Sequence, residues 1–449
     1  MANPFSRFFL LFLLAVLLPL SAGAQGGAAS VELSLKRAID IALAPEGSVR
    51  IRLVEEARRQ AEARSAQARS ALLPNLSGAV GEQNVVRNIA ALGIRFQSPF
   101  PQFQIPETVG PYDVFDVRAS VTQSILDVSS IRRFQASRVG VRAARAEIDA
   151  TRDEVAHRVA SIYLAALRAE ARVEAARADV ALAESLQKLA LNQKTAGTGT
   201  GIEVTRAEVQ LANEKQRLLV AQNEERQTHL QLLKAMELRL DTPVVLTGKL
   251  DYTPQEALAV ETALGKALEL RAELKAQQNR EESARLNYSG AKMERLPSVV
   301  GAADYGSIGT SINRALPTRT LSVSLRVPLF DGGRMEARRS EARSQYEQER
   351  LRSADLQKQI ELEIRLALDS LRSSEEQVNV ASAGLTQVQS ELEQAQRRYQ
   401  AGVANSIEVV DAQTRLARAR ENHILALYLY NQARIDLGRA MGTIRQMVD

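Results

Sequence analysis

The chain of 449 residues has no cysteine, no tryptophan and only three histidines. Lacking cysteine, it can form no disulfide or thiolate metal site and offers no thiol for a lipid anchor. His157, His229 and His423 stand singly within helical runs, and no His/Asp/Glu set with metal-ligand spacing is built around them. No metal and no cofactor are therefore expected. Aromatic residues make up 4%, too few for a thick globular core but suited to long helices packed through small side chains. The 58 basic and 53 acidic residues leave a net charge of only +5. They are interleaved along helices, so they read as solvated faces, and the clustering that nucleic-acid binding needs is missing. GxSxG, P-loop, GxGxxG and HExxH patterns are also missing, and no catalysis is expected. No run of 18 apolar residues occurs, so no transmembrane helix is expected.

What is present starts at the N-terminus. Arg7 precedes the apolar run Phe8 to Leu18, which ends at Pro19 and the small residues Ala22-Gly23-Ala24. This order predicts a secretory signal peptide over residues 1–24, and hence a mature chain outside the cytoplasm.

The chain then says one thing twice. AlaGly at 196–197 leads into Ile202-Glu203-Val204, Ala207, Leu211-Ala212, Ala221, Gln227, Leu232 and Ala235-Met236. AlaGly at 401–402 leads into Ile407-Glu408-Val409, Ala412, Leu416-Ala417, Ala426, Gln432, Leu437 and Ala440-Met441. The two copies lie 205 residues apart, without a gap and with 13 identities in 41 positions. Each follows a long helical run. The stretch from Val141 to Ala196 lacks Gly and Pro, and Val155, Val159, Ile162, Ala166, Val173 and Val180 follow a coiled-coil spacing. The stretch from Arg334 to Gln400 repeats it, with Gly384 as its only glycine. About 60 residues at 1.5 Å per residue reach on the order of 90–100 Å, longer than a globular core uses.

Four short segments alternate with period two. Leu321, Val323, Leu325, Val327 and Leu329 point one way along their segment, as do Val117, Ala119 and Val121 along theirs. Their predicted partners are Leu76–Val80, after Leu73-Pro74, and Val299–Tyr305, after Leu296-Pro297. The first pair encloses a long polar excursion from Glu82 to about Val114, including Phe100-Pro101-Gln102-Phe103. Such strands fit a membrane barrel or a periplasmic β-layer over a core face. A spanning barrel needs a closed edge and at least eight strands, so four strands cross a membrane only in an oligomer.

These residues resemble the outer-membrane efflux (TolC-like) channel proteins. The resemblance covers essentially the whole mature chain. It is carried by both Leu-Pro strand entries, by the doubled Gly-x4-Ile-Glu-Val-x2-Ala tip, and by the junction Val327-Pro328-Leu329-Phe330-Asp331-Gly332-Gly333-Arg334. The first copy of the junction keeps Asp127 and has lost both glycines. The resemblance implies a mostly α fold with a β-barrel part: an antiparallel coiled-coil helical barrel plus four membrane strands per chain, closed as twelve strands in a homotrimer. Its halves would be residues 25–240 and 263–449, joined by an equatorial linker at 241–262, with strand pairs at about 75–126 and 297–330. It further implies an outer-membrane exit duct reaching into the periplasm, a periplasmic adaptor (membrane fusion protein), and an inner-membrane transporter of RND or ABC type. Cargo would be small molecules or proteins. The other reading is a secreted periplasmic coiled-coil spacer without a channel.

The tips at 196–204 and 401–409 carry the expected mechanism. Gly197, Thr198 and Gly199, with Gly402, Val403 and Ala404, would dock the adaptor. Asp411 aligns with the acidic ring that commonly closes the family's aperture, and Tyr399 is placed to tie neighbouring helices. Glu203 and Glu408 either belong to that ring or complement helix dipoles in their first turns. Family members often carry a basic residue near the position of Ala404, and a salt-bridged lock there has no cation in this chain.

Overall fold

A computed structural model of the protein describes residues 31–45, 47–93, 107–254 and 258–446. The leader, the Phe100–Phe103 segment and three linker residues lie outside them. The chain opens with strand β1 (Val31–Leu33), helix α1 (Leu35–Leu43) and helix α2 (Val49–Ser70). Next come β2 (Asn75–Asn88), β3 (Thr108–Leu126), the 68-residue α3 (Val128–Thr195) and the 35-residue α4 (Gly201–Ala235). After β4 (Val244–Leu246), the order helix, helix, strand, strand, long helix, return helix recurs. These elements are α5 (Val260–Leu270), α6 (Ala272–Met293), β5 (Ser298–Gly309), β6 (Leu316–Arg326), the 67-residue α7 (Arg334–Gln400) and the 35-residue α8 (Ser406–Ala440).

The four longer strands form one antiparallel sheet in the order β2-β3-β5-β6. Among the described residues both outer strands, β2 and β6, have an unpaired edge. Below the sheet, α3 packs against α2 and α6, and α6 against α7. Farther down, α3 packs against α4 and α8, and α8 against α7. The expected coiled-coil seam is buried at Val155, Val159, Ala166, Val173 and Val180, with Ile162 half-buried. At 1.5 Å per residue α3 and α7 are each about 100 Å long.

The largest core lies midway along the helices, where α1, β1 and β4 lie against α3 and the ends of α4 and α8. It includes Leu33, Ile39, Ile51, Val159, Tyr163, Leu232 and Ile444. β1 and β4 pair in parallel, an element too short to show in the sequence. The Tyr163 hydroxyl donates to Leu33 O at 2.9 Å and accepts from Gly248 N–H at 3.1 Å. A Cβ at Gly248 would sit 2.7 Å from that hydroxyl oxygen, so only glycine lets the linker approach so closely.

Two expectations about the strands are corrected. The excursion predicted from Glu82 to about Val114 is shorter, because Glu82–Asn88 and Thr108–Val114 continue the ladder. Backbone pairing there does not depend on alternating hydrophobicity, so the polar sequence hid it. Conversely, β6 ends at Arg326 although alternation runs on to Leu329; Pro328 has no N–H to give a ladder.

Candidate functional site: the membrane sheet and the helical tips

Cross-strand register sorts the sheet into two faces. One row brings together Leu76, Val121, Ala303 and Leu321; neighbouring rows add Val80 with Val117, and Val299 with Leu325. Val323 stands opposite Gly301 on this face. The apolar side chains have no cover: Leu321 is 86% and Val323 71% exposed. The opposite face is polar, with rows such as Ser77, Ser120, Asp304 and Thr320. There Arg118 bridges Asp116 at 2.9 Å and Asp304 at 3.2 Å. One apolar and one polar face, about 37 Å long on the 11-residue β6 at 3.4 Å per residue, suit a wall between lipid and water.

The strands hand over to the long helices at two dissimilar junctions. Asp127 caps α3, accepting from Ser130 N–H at 3.1 Å and from the Ser130 hydroxyl at 2.6 Å. Asp331 accepts from Met335 N–H at 2.9 Å. Between Asp331 and α7, Gly332 and Gly333 adopt φ of 70° and 85°, a left-handed turn that a Cβ would strain. The first junction runs straight from Leu126 into its cap and makes no such turn, which explains its lack of glycine.

At the far ends, both hairpins reverse through the same device. Thr198 N–H donates to Gln193 O and Gly197 N–H to Lys194 O; Val403 N–H donates to Arg398 O and Gly402 N–H to Tyr399 O. Each is a Schellman closure with glycine in the left-handed position, at φ 77° for Gly197 and 70° for Gly402. The return helices are then capped differently. Thr200 N–H donates to Glu203 Oε2 at 2.8 Å, whereas Asn405 Oδ1 accepts from Ile407 and Glu408 N–H at 3.1 and 3.2 Å. Glu203 thus serves its own helix start. Glu408 lies 3.5 Å from Arg398 across the turn. Thr198 and Val403 are exposed and Gly199 and Ala404 half-buried. With Ile202 and Ile407, Val403 (68% exposed) puts uncovered apolar surface at the tips.

Asp411 lies farther up α8, exposed and paired with Arg415, which also pairs with Glu391 of α7. The sequence reading passed over Arg415; its i,i+4 spacing from Asp411 was a readable signal, but the bond to Glu391 was not. Tyr399 is 5% exposed, packed among Leu392, Ala395, Val409, Ala412 and Leu416 of its own hairpin. Its hydroxyl has no partner among the described residues. Burial, with the Glu203 charge adding to it, pushes that hydroxyl's pKa up.

A lipid-compatible sheet continuous with helices of this length is the architecture of outer-membrane channels. The fold matches the solved CmeC outer membrane channel of Campylobacter jejuni with a TM-score of 0.79 at 16% identity, covering 91% of this chain and 86% of that one. It also matches VceC of Vibrio cholerae, with a TM-score of 0.77 at 19% identity over 91% and 96%. Residues 41–236 and 263–443 match the family described as "Outer membrane efflux protein", and the chain belongs to that family. Among curated relatives, the pyoverdine export outer membrane protein OpmQ of Pseudomonas putida is 24% identical over 291 residues, 63% of this chain and 61% of that protein. The outer membrane protein TolC of Vibrio cholerae is 23% identical over 344 residues, 74% and 78%. The alignment with OpmQ therefore spans less than two thirds of that relative's length.

Proposed function

We propose that the protein is the outer-membrane exit duct of a tripartite export system, moving small molecules or proteins from an inner-membrane transporter to the exterior. The observation that carries this reading is the four-stranded sheet with one uncovered apolar face and two unpaired edges. In lipid those edges must close, and four strands close only with strands from other copies. β2, α2 and α4 form one edge of the molecule and β6 with α7 the other, so head-to-tail contacts between unlike edges generate a ring. Exposed Val209 and Leu219 on α4, and Leu362, Leu366 and Val380 on α7, fit such contacts. Three copies make twelve strands.

In this reading residues 25–240 and 263–449 are tandem copies of one unit, joined by the linker at 241–262. The matched helix lengths and the doubled tips support the duplication. The exposed tips, with Val403, Ile202 and Ile407, receive a periplasmic adaptor that couples the duct to an RND or ABC transporter. Asp411 of three copies lines the periplasmic aperture, with Arg415 setting its net charge. Tyr399 holds the second hairpin together from inside. A periplasmic spacer is disfavoured because it would leave Leu76, Val80, Leu321 and Val323 in water. Native mass in detergent, measured on protein extracted from outer membranes, tests the reading. A trimer is expected; a monomer or dimer would overturn it.

A further inference from the structure

The upper helices carry a groove of about 750 Å³ whose lining includes Arg132, Arg138, Arg142, Arg145 and Arg285. Among the described residues that line it, Glu62 and Glu282 are the only carboxylates, and both are engaged. Arg145 lies 3.4 Å from Glu62, and Arg285 holds Glu282 at 2.7 and 2.8 Å. The Glu282 carboxylate is held below its usual range by Arg285, with Arg142 adding to it. Among the described residues, Arg132 bonds only Gln135, at 2.9 Å. Arg138 and Arg142 form no ion pair with any described residue. Five guanidinium groups therefore line one groove with two carboxylates, an excess of positive charge in a chain whose basic and acidic residues are otherwise nearly balanced.

Position determines what they meet. Arg138, Arg142 and Arg145 follow i, i+4, i+7 spacing on α3, and the same helical stripe continues to Ala156, Ala160, Tyr163 and Leu167, which α1 and β1 cover. In a closed ring that added layer lies outside, since inside it would plug the bore. The groove therefore opens to the periplasm rather than the lumen. It is centred on α3, with α6 as one wall and α2, the edge that would meet a neighbouring copy's α7, as the other. Its upper end is next to the membrane: Ile131 on the first turn of α3 is exposed, as are Leu329 and Phe330 at the foot of the sheet. Arg132 and Arg142 lie about 6 and 21 Å below the start of α3 at 1.5 Å per residue. Side chains on a helix lean toward its N-terminus, and the N-terminus of α3 is at the sheet. The side chains of Arg132, Arg138 and Arg142 thus lean toward the membrane surface, with Arg132 nearest to it and Arg142 farthest.

We propose that this groove binds the phosphate headgroups of anionic phospholipid in the periplasm-facing leaflet, seating each copy of the duct at a fixed depth. Guanidinium suits the task because its planar fork takes a phosphate bidentately. The proposal rests on the duct reading for its membrane. Native mass spectrometry of the full-length protein in detergent, titrated with phosphatidylglycerol or phosphatidylcholine, tests both at once. A basic residue within a Debye length of anionic lipid contributes about fivefold, and Arg132 and Arg138 lie nearest the membrane, so the Arg132→Gln/Arg138→Gln/Arg142→Gln variant should bind phosphatidylglycerol about 25-fold more weakly. The corresponding triple lysine variant should keep most of the preference. Arg64→Gln/Arg280→Gln, lining the groove on the opposite face, should change nothing. The headgroup assignment is overturned if the unaltered trimer binds both lipids equally, if the glutamine triple keeps its preference, or if inorganic phosphate displaces the lipid at equal concentration, which would mark a soluble-anion site. A trimer without lipid preference removes this proposal alone; a monomer removes the duct reading first.

Discussion

Arg415→Gln separates the electrostatics of the proposed aperture from its stability. Arg415 ties Asp411 to Glu391 across the α7–α8 hairpin, and all three side chains are about half exposed. Exposed ion pairs contribute about 0–1 kcal/mol, so the substitution should leave the assembly nearly as stable as before. In the proposed trimer it nevertheless removes three positive charges around the aperture. For charges about 10 Å from the axis in water, each acts on a passing ion with about 0.4 kcal/mol, and three act with about 1.2 kcal/mol. Screening leaves roughly a third of this at 0.1 M salt and roughly 70% at 0.01 M. The attraction of a cation and the repulsion of an anion both count, so the potassium-over-chloride permeability ratio should rise about fivefold at 0.1 M and about twentyfold at 0.01 M. At 1 M it should be unchanged, because the screening length falls to about 3 Å. Reversal potentials in planar bilayers under a KCl gradient measure the ratio, and Asp411→Asn should shift it the opposite way. A ratio that stays constant at low salt in both variants would place the constriction elsewhere.

Other consequences are as open to measurement. Val323→Arg, on the apolar sheet face, should cost about 2–4 kcal/mol and lower the thermal stability and outer-membrane yield of the assembly. Ser324→Arg, one residue along on the polar face, should be tolerated; equal effects would contradict the assignment of the faces. A Cβ at Gly197 or Gly402 would meet nothing within 4 Å, so alanine at either should cost only the left-handed backbone strain, about 1–2 kcal/mol, read as earlier thermal dissociation. Glu214 is 3% exposed, and burial raises its pKa above the ordinary 4.5 despite Arg217. The folded chain then holds that proton more tightly than the unfolded chain, so stability is greatest below 4.5 and declines as pH rises through the raised value. Glu214→Gln should remove this decline, giving the variant a thermal midpoint that gains on the unaltered protein from pH 4.5 to 7; a midpoint that loses ground would reverse the sign argument.

Local chemistry made much of this protein legible before any coordinates. Long Gly- and Pro-free runs determined the helices, because each residue contributes its own i to i−4 bond and needs no distant partner. The doubled AlaGly turns determined the reversals, since few residues other than glycine accept the left-handed backbone that Gly197 and Gly402 adopt. Strict alternation at Leu321–Leu325 marked a sheet with unlike faces. Tertiary structure decided what depends on partners far along the chain. The ladder of β2 and β3 extends past its apolar rows, since backbone groups pair whatever their side chains are. Tyr399 turned inward because α3, α7 and α8 enclose it, and no residue near it in sequence announces that. Arg415 meets Glu391 only because the hairpin folds back in register. The unpaired arginines of the upper groove come from α3 alone, yet only the packing of α2 and α6 beside it shows that both nearby carboxylates are already taken. Sequence set the secondary structure and the spacing of charges; the three-dimensional arrangement decided which charges remain without partners, because neutralisation depends on distance in space and not along the chain.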